Sequence, residues 1–300
     1  MSAAPFPADA PESPFARIAR DFAASPLALG ALALFALLLL AAVFAPLISP
    51  QNPYDLAQLD VLDSRLPPGA TGADGQTYWL GTDEQGRDVL SAIFYGLRIS
   101  LGVGAISTLV ALAIGVAAGL AAGYLGGRVE ALLMRVVDLQ LSFPAILVAL
   151  ILLALLGQGI GKTIAALVVV QWAYYARTVR GTALVERGKE YMEAARGLAL
   201  PASRIVFRHL LPNCLPPVIV VATVQVAAAI ALEATLSYLG IGVPITEPSL
   251  GLLIKNGFDY MLSGKYWISF FPGLALVLVI VSINLVGDRL RDVLNPRLLR

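Results

Sequence analysis

Six uncharged stretches, at 27–54, 99–127, 139–161, 163–176, 213–232 and 266–287, leave this chain few folds to adopt. A bilayer core about 30 Å thick takes roughly 20 apolar residues as helix. The stretches therefore predict six membrane spans, near 27–48, 99–124, 132–157, 163–185, 214–242 and 267–288. Composition agrees: 58% of residues are hydrophobic and only 14% charged, against about 45–50% and 25% in soluble domains. The expected fold class is an all-α membrane protein with six transmembrane helices.

Orientation follows from the basic residues. Of 21 Lys and Arg, six (Arg65, Arg87, Arg98, Lys162, Lys255 and Lys265) fall on one side if the spans alternate, and the other fifteen on the opposite side. Lysine and arginine collect in cytoplasmic loops, so both termini are expected in the cytoplasm. The first hydrophobic run is longer than the core of a signal peptide, and Pro46 follows the only small-residue cleavage position, Ala45, so it reads as an uncleaved anchor. Four domains result: a cytoplasmic tail at 1–26, the first helix at 27–48, an extracytoplasmic loop with an interfacial helix at 49–98, and a five-span core at 99–300 with a cytoplasmic loop at 186–212. Net charge is only +1, which argues against a nucleic-acid partner. The single histidine, His209, and single cysteine, Cys214, leave no metal site and no intrachain disulfide.

The stretch LLGQGIGKT, residues 155–163, imitates a phosphate-binding loop, but the first glycine of that pattern would fall at Leu156. With hydrophobic helix on both sides it reads as an outer turn, with Lys162 at headgroup level. In the second span Gly115, Gly119 and Gly123 recur every four residues, and Ala111 extends the row. Such a stripe lets helices approach closely in lipid, either within one bundle or against a partner subunit. Two carboxylates lie in or near the bilayer. Asp138 is expected near the inner interface beside Arg135 or Arg177; Glu233, deeper in the fifth span, takes a structural hydrogen-bonding role or contacts substrate. The outer loop carries Asp55, Asp60, Asp63, Asp74, Asp83, Glu84 and Asp88. From Val89 an apolar helical face runs through Leu90, Ile93, Phe94, Leu97 and Leu101, to rest on the membrane or to meet another protein.

The cytoplasmic segment EYMEAARGLALPASRIVFRHLLPN, residues 190–213, is the most informative. Tyr191, Ala194, Ala195 and Leu198 share one helical face, while Lys189, Glu193 and Arg196 can pair along another. Pro201 disfavours helix at Leu200; a second amphipathic helix with Val206, Phe207, Leu210 and Leu211 follows, up to Pro212. Small alanines on an apolar face suit a protein groove better than a membrane surface. Glu186, one turn before this motif, reads as a bystander, so that Glu186→Lys is expected to be milder than Glu193→Lys.

The EAA triplet at Glu193, Ala194 and Ala195, followed by Leu211 and Pro212, resembles the docking loop of ABC importer permeases. WLGTDEQGRDVLSAIFYGLRISLGVG (79–104), GYLGGRVEALLMRVVDLQLSFP (123–144), LEATLSYLGIGV (232–243) and NLVGDRLRDVLNPRL (284–298) are similar to the second permease of dipeptide, oligopeptide and nickel importers. The resemblance covers nearly all of the chain beyond residue 26 and implies the type I importer permease fold in a bacterial inner membrane. It implies that Glu193, Ala194, Ala195, Gly197, Ala199, Pro201, Leu211 and Pro212 dock an ATPase. The family usually has glycine where this chain has Ala199, with a glycine at Gly197 instead. The implied partners are a second homologous permease, two ABC ATPase subunits, an extracytoplasmic substrate-binding protein and membrane lipid. This chain would then bind no cofactor and catalyse no reaction, ATP and magnesium being used by the ATPases. Di- and oligopeptides are the implied cargo; nickel, glutathione and other small solutes are alternatives within the family. A proton-coupled secondary transporter, with Asp138 or Glu233 as relay, is the alternative outside it.

Overall fold

A computed structural model describes residues 14–55, 59–244 and 246–294. Almost all regular structure is helical. Helices α1 (Pro14–Ala23), α2 (Pro26–Val43) and α3 (Ala45–Ile48) lead into the outer loop. Ser25 starts α2 as its cap, accepting the Ala28 N–H at 3.3 Å, with Pro26 in the first helical position, where its missing N–H costs nothing. The helix α4 (Val89–Leu125) is unbroken over 37 residues, so the apolar face after Val89 and the expected second span are one element. Helices α5 (Gly127–Ser142), α6 (Ala145–Leu156) and α7 (Ile160–Arg187) follow. After the short α8 (Glu190–Gly197) and α9 (Ala202–Arg204), a π turn over Ile205–Leu210 runs into α10 (Leu211–Tyr238), and α11 (Leu250–Phe258) and α12 (Trp267–Leu294) close the chain.

Among the described residues four helices are long and apolar enough to cross a membrane, α2, α4, the Ala202–Tyr238 rod and α12, and a bent pair makes five if it counts as one span. That pair, α5 and α6, stands where one span at 132–157 is expected, and it turns by 92° between its halves. The cause is Pro144, which disfavours helical geometry in the residue before it; Phe143 is extended, with φ −97° and ψ 142°. The stretch expected as the fourth span lies in α7, 28 residues long, whose Lys162, Arg177, Arg180, Glu186 and Arg187 set it apart from the apolar helices.

Two cores organise the bundle. One joins α2, α4, α10, α11 and α12 through Ala42, Leu97, Ile230, Leu250, Trp267 and Val279. The other joins α4, α7 and α10 to the 186–212 segment through Leu120, Tyr175, Val179, Met192, Ala195 and Cys214. The glycine stripe of α4 makes the α4–α7 contact possible. A Cβ on Gly119 would lie 2.6 Å from the Ala176 carbonyl oxygen and from Val179 Cβ, and one on Gly123 would lie 2.5 Å from Ala183 Cβ. Gly115 meets Tyr175 and the Trp172 carbonyl in the same way. The stripe thus faces a helix of its own chain.

The outer loop is a folded cap. A two-stranded hairpin, β1 (Ala70–Thr71) with β2 (Thr77–Tyr78), sits beside it. Its carboxylates cap backbone turns: Asp83 accepts the N–H groups of Gln85 (2.8 Å) and Arg87 (3.0 Å) and pairs with the buried Arg87 guanidinium at 2.6 Å. Asp88 caps α4 by accepting the Ser91 N–H at 2.9 Å. The cap is tied to the α11–α12 connection by Trp267 Nε1, which donates to the Thr82 carbonyl at 3.1 Å, and by Tyr260, whose hydroxyl donates to Glu84 at 2.6 Å. Among the described residues no group of three or more His, Cys, Asp or Glu is placed to hold a metal ion.

Candidate functional site: a helical hairpin and the groove above it

The segment from Glu186 to Pro212 forms a hairpin under the bundle. In α8, Met192 and Ala195 are buried in the second core, while Tyr191, Glu193, Ala194 and Leu198 are exposed. Leu198 is 74% accessible, so the outward face carries apolar surface that nothing among the described residues covers. Alanines 194 and 195 therefore divide the work: one turns outward, the other anchors the helix. Glu193 makes no ion pair among the described residues. Lys189 is the N-cap, outside the helix, and its side chain falls back on Glu186 at 2.6 Å instead of reaching along α8.

The departure at Ala199 has a structural meaning. Leu200 N–H donates to the Ala195 carbonyl at 3.2 Å and Ala199 N–H to the Arg196 carbonyl at 2.9 Å. This pair of bonds defines a helix end whose first residue beyond the cap is left-handed and usually glycine. Ala199 is that residue, with φ +49°. Gly197 is the last residue of α8, where a Cβ would meet nothing within 4 Å, and it does not take over the task. An L-residue in this conformation costs roughly 1–2 kcal/mol, partly offset by glycine's greater freedom in the unfolded chain, roughly 0.5–1 kcal/mol. Ala199→Gly should therefore raise the thermal midpoint of the purified protein by about 1–3 °C. A lower midpoint would show that this helix end does not need a left-handed residue.

Pro201 precedes the next turn as the N-cap of α9. Pro212, lacking an N–H, cannot continue a regular α ladder, and the wider π turn at Ile205–Leu210 precedes it. The Asn213 side-chain amide donates to the His209 carbonyl, one turn back, at 2.7 Å. Leu211 packs at the edge of the second core.

Glu186 joins the hairpin to the bundle. Its carboxylate, on a residue only 7% exposed, accepts from Lys189 Nζ (2.6 Å) and from the Tyr191 hydroxyl (2.7 Å), and Asn213 in turn donates to Tyr191 at 3.3 Å. Three helices, α7, α8 and α10, meet at this one group. Burial pushes the Glu186 carboxyl up, but the hydrogen bonds from Lys189 and Tyr191 and the Lys189 charge hold it below its ordinary value. Burial and the Glu186 carboxylate push the Tyr191 hydroxyl up to about 12. This overturns the bystander reading of Glu186. Sequence gives little signal of the junction, because Asn213 lies 22 residues from Tyr191 and on another helix.

Above Glu186 a groove of about 1010 Å³ opens between α7 and α10. Tyr174, Arg177, Thr178 and Thr182 line it from α7, Asn213 and Gln225 from α10, and Leu141 and Arg291 from neighbouring elements. Polar side chains at membrane depth face protein or a water-filled path rather than lipid. Asp138 lies at the same end on α5, exposed and paired with Arg177, and the neighbouring Glu130 accepts from Arg180 Nε at 2.9 Å. The two α5 carboxylates thus neutralise arginines that α7 brings into the bundle. Glu233 lies elsewhere: it is fully buried in α10 and accepts from Ser100 (2.8 Å) and Ser237 (2.7 Å). Lys162 is in the first turn of α7, and the glycines before it, Gly157 and Gly159, hold positive φ in a turn between two helices. No strand precedes it, as a phosphate loop would require.

Comparison with known proteins places the whole arrangement. The family described as "Binding-protein-dependent transport system inner membrane component" matches residues 111–300, and the "N-terminal TM domain of oligopeptide transport permease C" matches residues 13–68. The Bacillus subtilis dipeptide transport system permease protein DppC is 37% identical over 91% of this chain and 83% of its own length. The di/tripeptide permease DppC of Pseudomonas aeruginosa is 36% identical over 95% of this chain and 93% of its own. A putative peptide transport permease of Brucella suis is 40% identical over 89% and 86%. Among solved structures, the inward-facing MetNI methionine ABC transporter shares the fold, with a TM-score of 0.55, 22% identity and coverage of 68% of this chain and 96% of that one. The chain belongs to the family of inner-membrane components of binding-protein-dependent transport systems.

Proposed function

We propose that this chain is a permease subunit of an ATP-driven importer of di- and oligopeptides and forms one half of its channel. The observation that carries this reading is the hairpin's uncovered face, joined through Glu186 to the mouth of a groove whose mostly apolar lining carries several polar side chains. A motor docked under α8 can move α7 and α10 through this junction and through the core contacts of Met192 and Ala195, and a half-groove needs a second permease to close it. The similarity of relatives described as dipeptide and di/tripeptide permeases supports peptides over nickel or glutathione as cargo. In this reading Glu193, Ala194, Gly197, Ala199 and Pro201 meet one of two ABC ATPase subunits, Ala195, Leu211 and Pro212 hold the hairpin in shape, and ATP with magnesium is bound on those partners. An extracytoplasmic binding protein delivers peptide to the opposite face.

Reconstituted in lipid vesicles with those partners, the chain should support uptake of radiolabelled dialanine at least tenfold above the level without ATP. Omitting the binding protein should abolish uptake. Uptake driven by an imposed proton gradient, with no ATP present, would make the chain part of a secondary transporter instead.

A further inference from the structure

Glu233 lies towards the end of α10 away from the hairpin and is bonded to serines of two helices. Ser100 on α4, Ser237 on α10 and Ser249 at the start of α11 are, like it, fully buried. Ser100 donates its hydroxyl to Glu233 Oε2 at 2.8 Å, and Ser100 Oγ in turn accepts the Leu250 N–H at 3.3 Å. Ser237 donates to Glu233 Oε1 at 2.7 Å, and its oxygen accepts the Val243 N–H at 3.3 Å. Ser249 caps α11 by accepting the Leu252 N–H at 3.3 Å, and its hydroxyl also contacts the carboxylate. The proton count is consistent. Each of the two relaying serines uses a lone pair for a backbone N–H and has one O–H left, and both O–H groups point at the same carboxylate.

The two arms end at different places. One holds the chain just after α10, at Val243; the other holds the first residue of α11, at Leu250. Close backbone packing completes the joint. A Cβ on Gly251 would lie 2.6 Å from Ala234 Cα, one on Gly242 would lie 2.6 Å from Ser237 Oγ, and one on Gly96 would meet Leu250 at 3.3 Å. So α11 is set against α4 and α10 with no room to shift while the serines stay bonded. No ion pair involves Glu233 among the described residues. A charged side chain within a membrane helix is costly and marks function by default, and here its hydrogen bonds lead to the backbone and not to the groove.

We infer that Glu233 is a positioning residue for transport: through Ser100 and Ser237 it fixes both Val243 and Leu250, so that α4, α10 and α11 move as one body. The inference rests on the permease reading for its functional consequence, but not for its structural content. Because α10 also begins at the docking hairpin, displacement of its hairpin end is carried along the rod to α11 on the opposite side. A loose α11 would let ATP turn over without a matching movement there.

The test uses the complete transporter in lipid nanodiscs and reads hydrogen exchange by mass spectrometry in separate peptides containing Val243 and Leu250. Ser100→Ala should speed exchange at Leu250 at least tenfold and leave Val243 unchanged; Ser237→Ala should do the reverse. Glu233→Ala should release both. Glu233→Gln, which keeps the size but not the paired acceptors, serves if the alanine variant fails to accumulate and should release at least one. In vesicles, these variants should lower dipeptide uptake per ATP hydrolysed at least fivefold while ATP hydrolysis continues. Exchange unchanged in the Glu233 variants, or both sites released equally by Ser100→Ala, would overturn the two-armed joint. The expected exchange pattern with unaltered uptake per ATP would overturn its role in transport. A transporter that proved not to use ATP would undo the permease reading and leave the exchange result standing.

Discussion

Glu186→Lys should give a chain that inserts and accumulates but retains little ATPase and transports peptide at about a hundredth of the normal rate. The native carboxylate is buried and accepts from both Lys189 and Tyr191. The substitution removes the acceptor of both bonds and brings a second cation against Lys189. Breaking a buried pair by removing one partner costs about 3–5 kcal/mol, and the low end applies because the Lys189 side chain is 51% exposed and therefore screened. At about 1.4 kcal/mol per factor of ten, about 3 kcal/mol lowers the population of the docked arrangement roughly a hundredfold. Glu186→Gln keeps an acceptor for Tyr191 and should lose much less. The measurements are co-purification of the ATPase and ATP-driven uptake, each normalised to the amount of permease in the membrane. Normal retention and uptake in Glu186→Lys would mean that the hairpin does not depend on its junction with α7.

The ranking of Glu186 above its neighbours shows where sequence patterns stop being informative. Helical spacing finds which face of α8 is apolar, but it does not say which apolar side chains the bundle keeps. Met192 and Ala195 face inward, and Tyr191, Ala194 and Leu198 outward. The pairing of Lys189 with Glu193 fails for a local reason: Lys189 caps the helix and so lies outside the spacing rule. Long-range partners such as Tyr191 and Asn213 have no periodic signature at all. By contrast, the glycine stripe at Gly115, Gly119 and Gly123 is readable because its cause, close approach of helix backbones in lipid, is the same wherever it occurs.

Charge exclusion locates the hydrophobic segments well and their geometry poorly. The run from 139 to 161 contains no charged residue, yet Pro144 divides it at a sharp angle, because a backbone constraint of one residue outweighs a continuous apolar pattern. In α7 the opposite happens. Arg177 and Arg180 make the segment look ill-suited to a membrane, but Asp138 and Glu130 on α5 neutralise them. The acidic outer loop illustrates a third limit. Composition makes it resemble a binding surface, whereas Asp83 and Asp88 spend their charge on capping turns and the start of α4.

Glu193→Lys tests the hairpin's outer face separately from its attachment. Glu193 is exposed on α8 and forms no ion pair within the described chain, so the change removes no internal bond. Its cost to the isolated chain is limited to crowding of like charge with Arg196 along the helix, a few tenths of a kcal/mol per exposed pair. Insertion should therefore be normal, as for Glu186→Lys, and thermal stability should be close to normal, unlike that of a variant damaged at Glu186. Against a docked ATPase the same charge reversal is far more serious, since like charges brought together across an interface cost several kcal/mol. ATPase retention and peptide uptake should fall roughly tenfold or more. Mild salt should restore part of the binding, because repulsion between exposed charges is screened within about 10 Å at 0.1 M ionic strength. Loss at Glu186 should recover less, since salt screens the new repulsion with Lys189 but does not replace the missing acceptor of Tyr191. If Glu193→Lys instead holds its ATPase and transports at the original rate, the outward face of α8 is not where ATP hydrolysis meets this chain. A clearly larger recovery with salt in Glu193→Lys than in Glu186→Lys would separate the two roles: one residue at the contact, the other behind it.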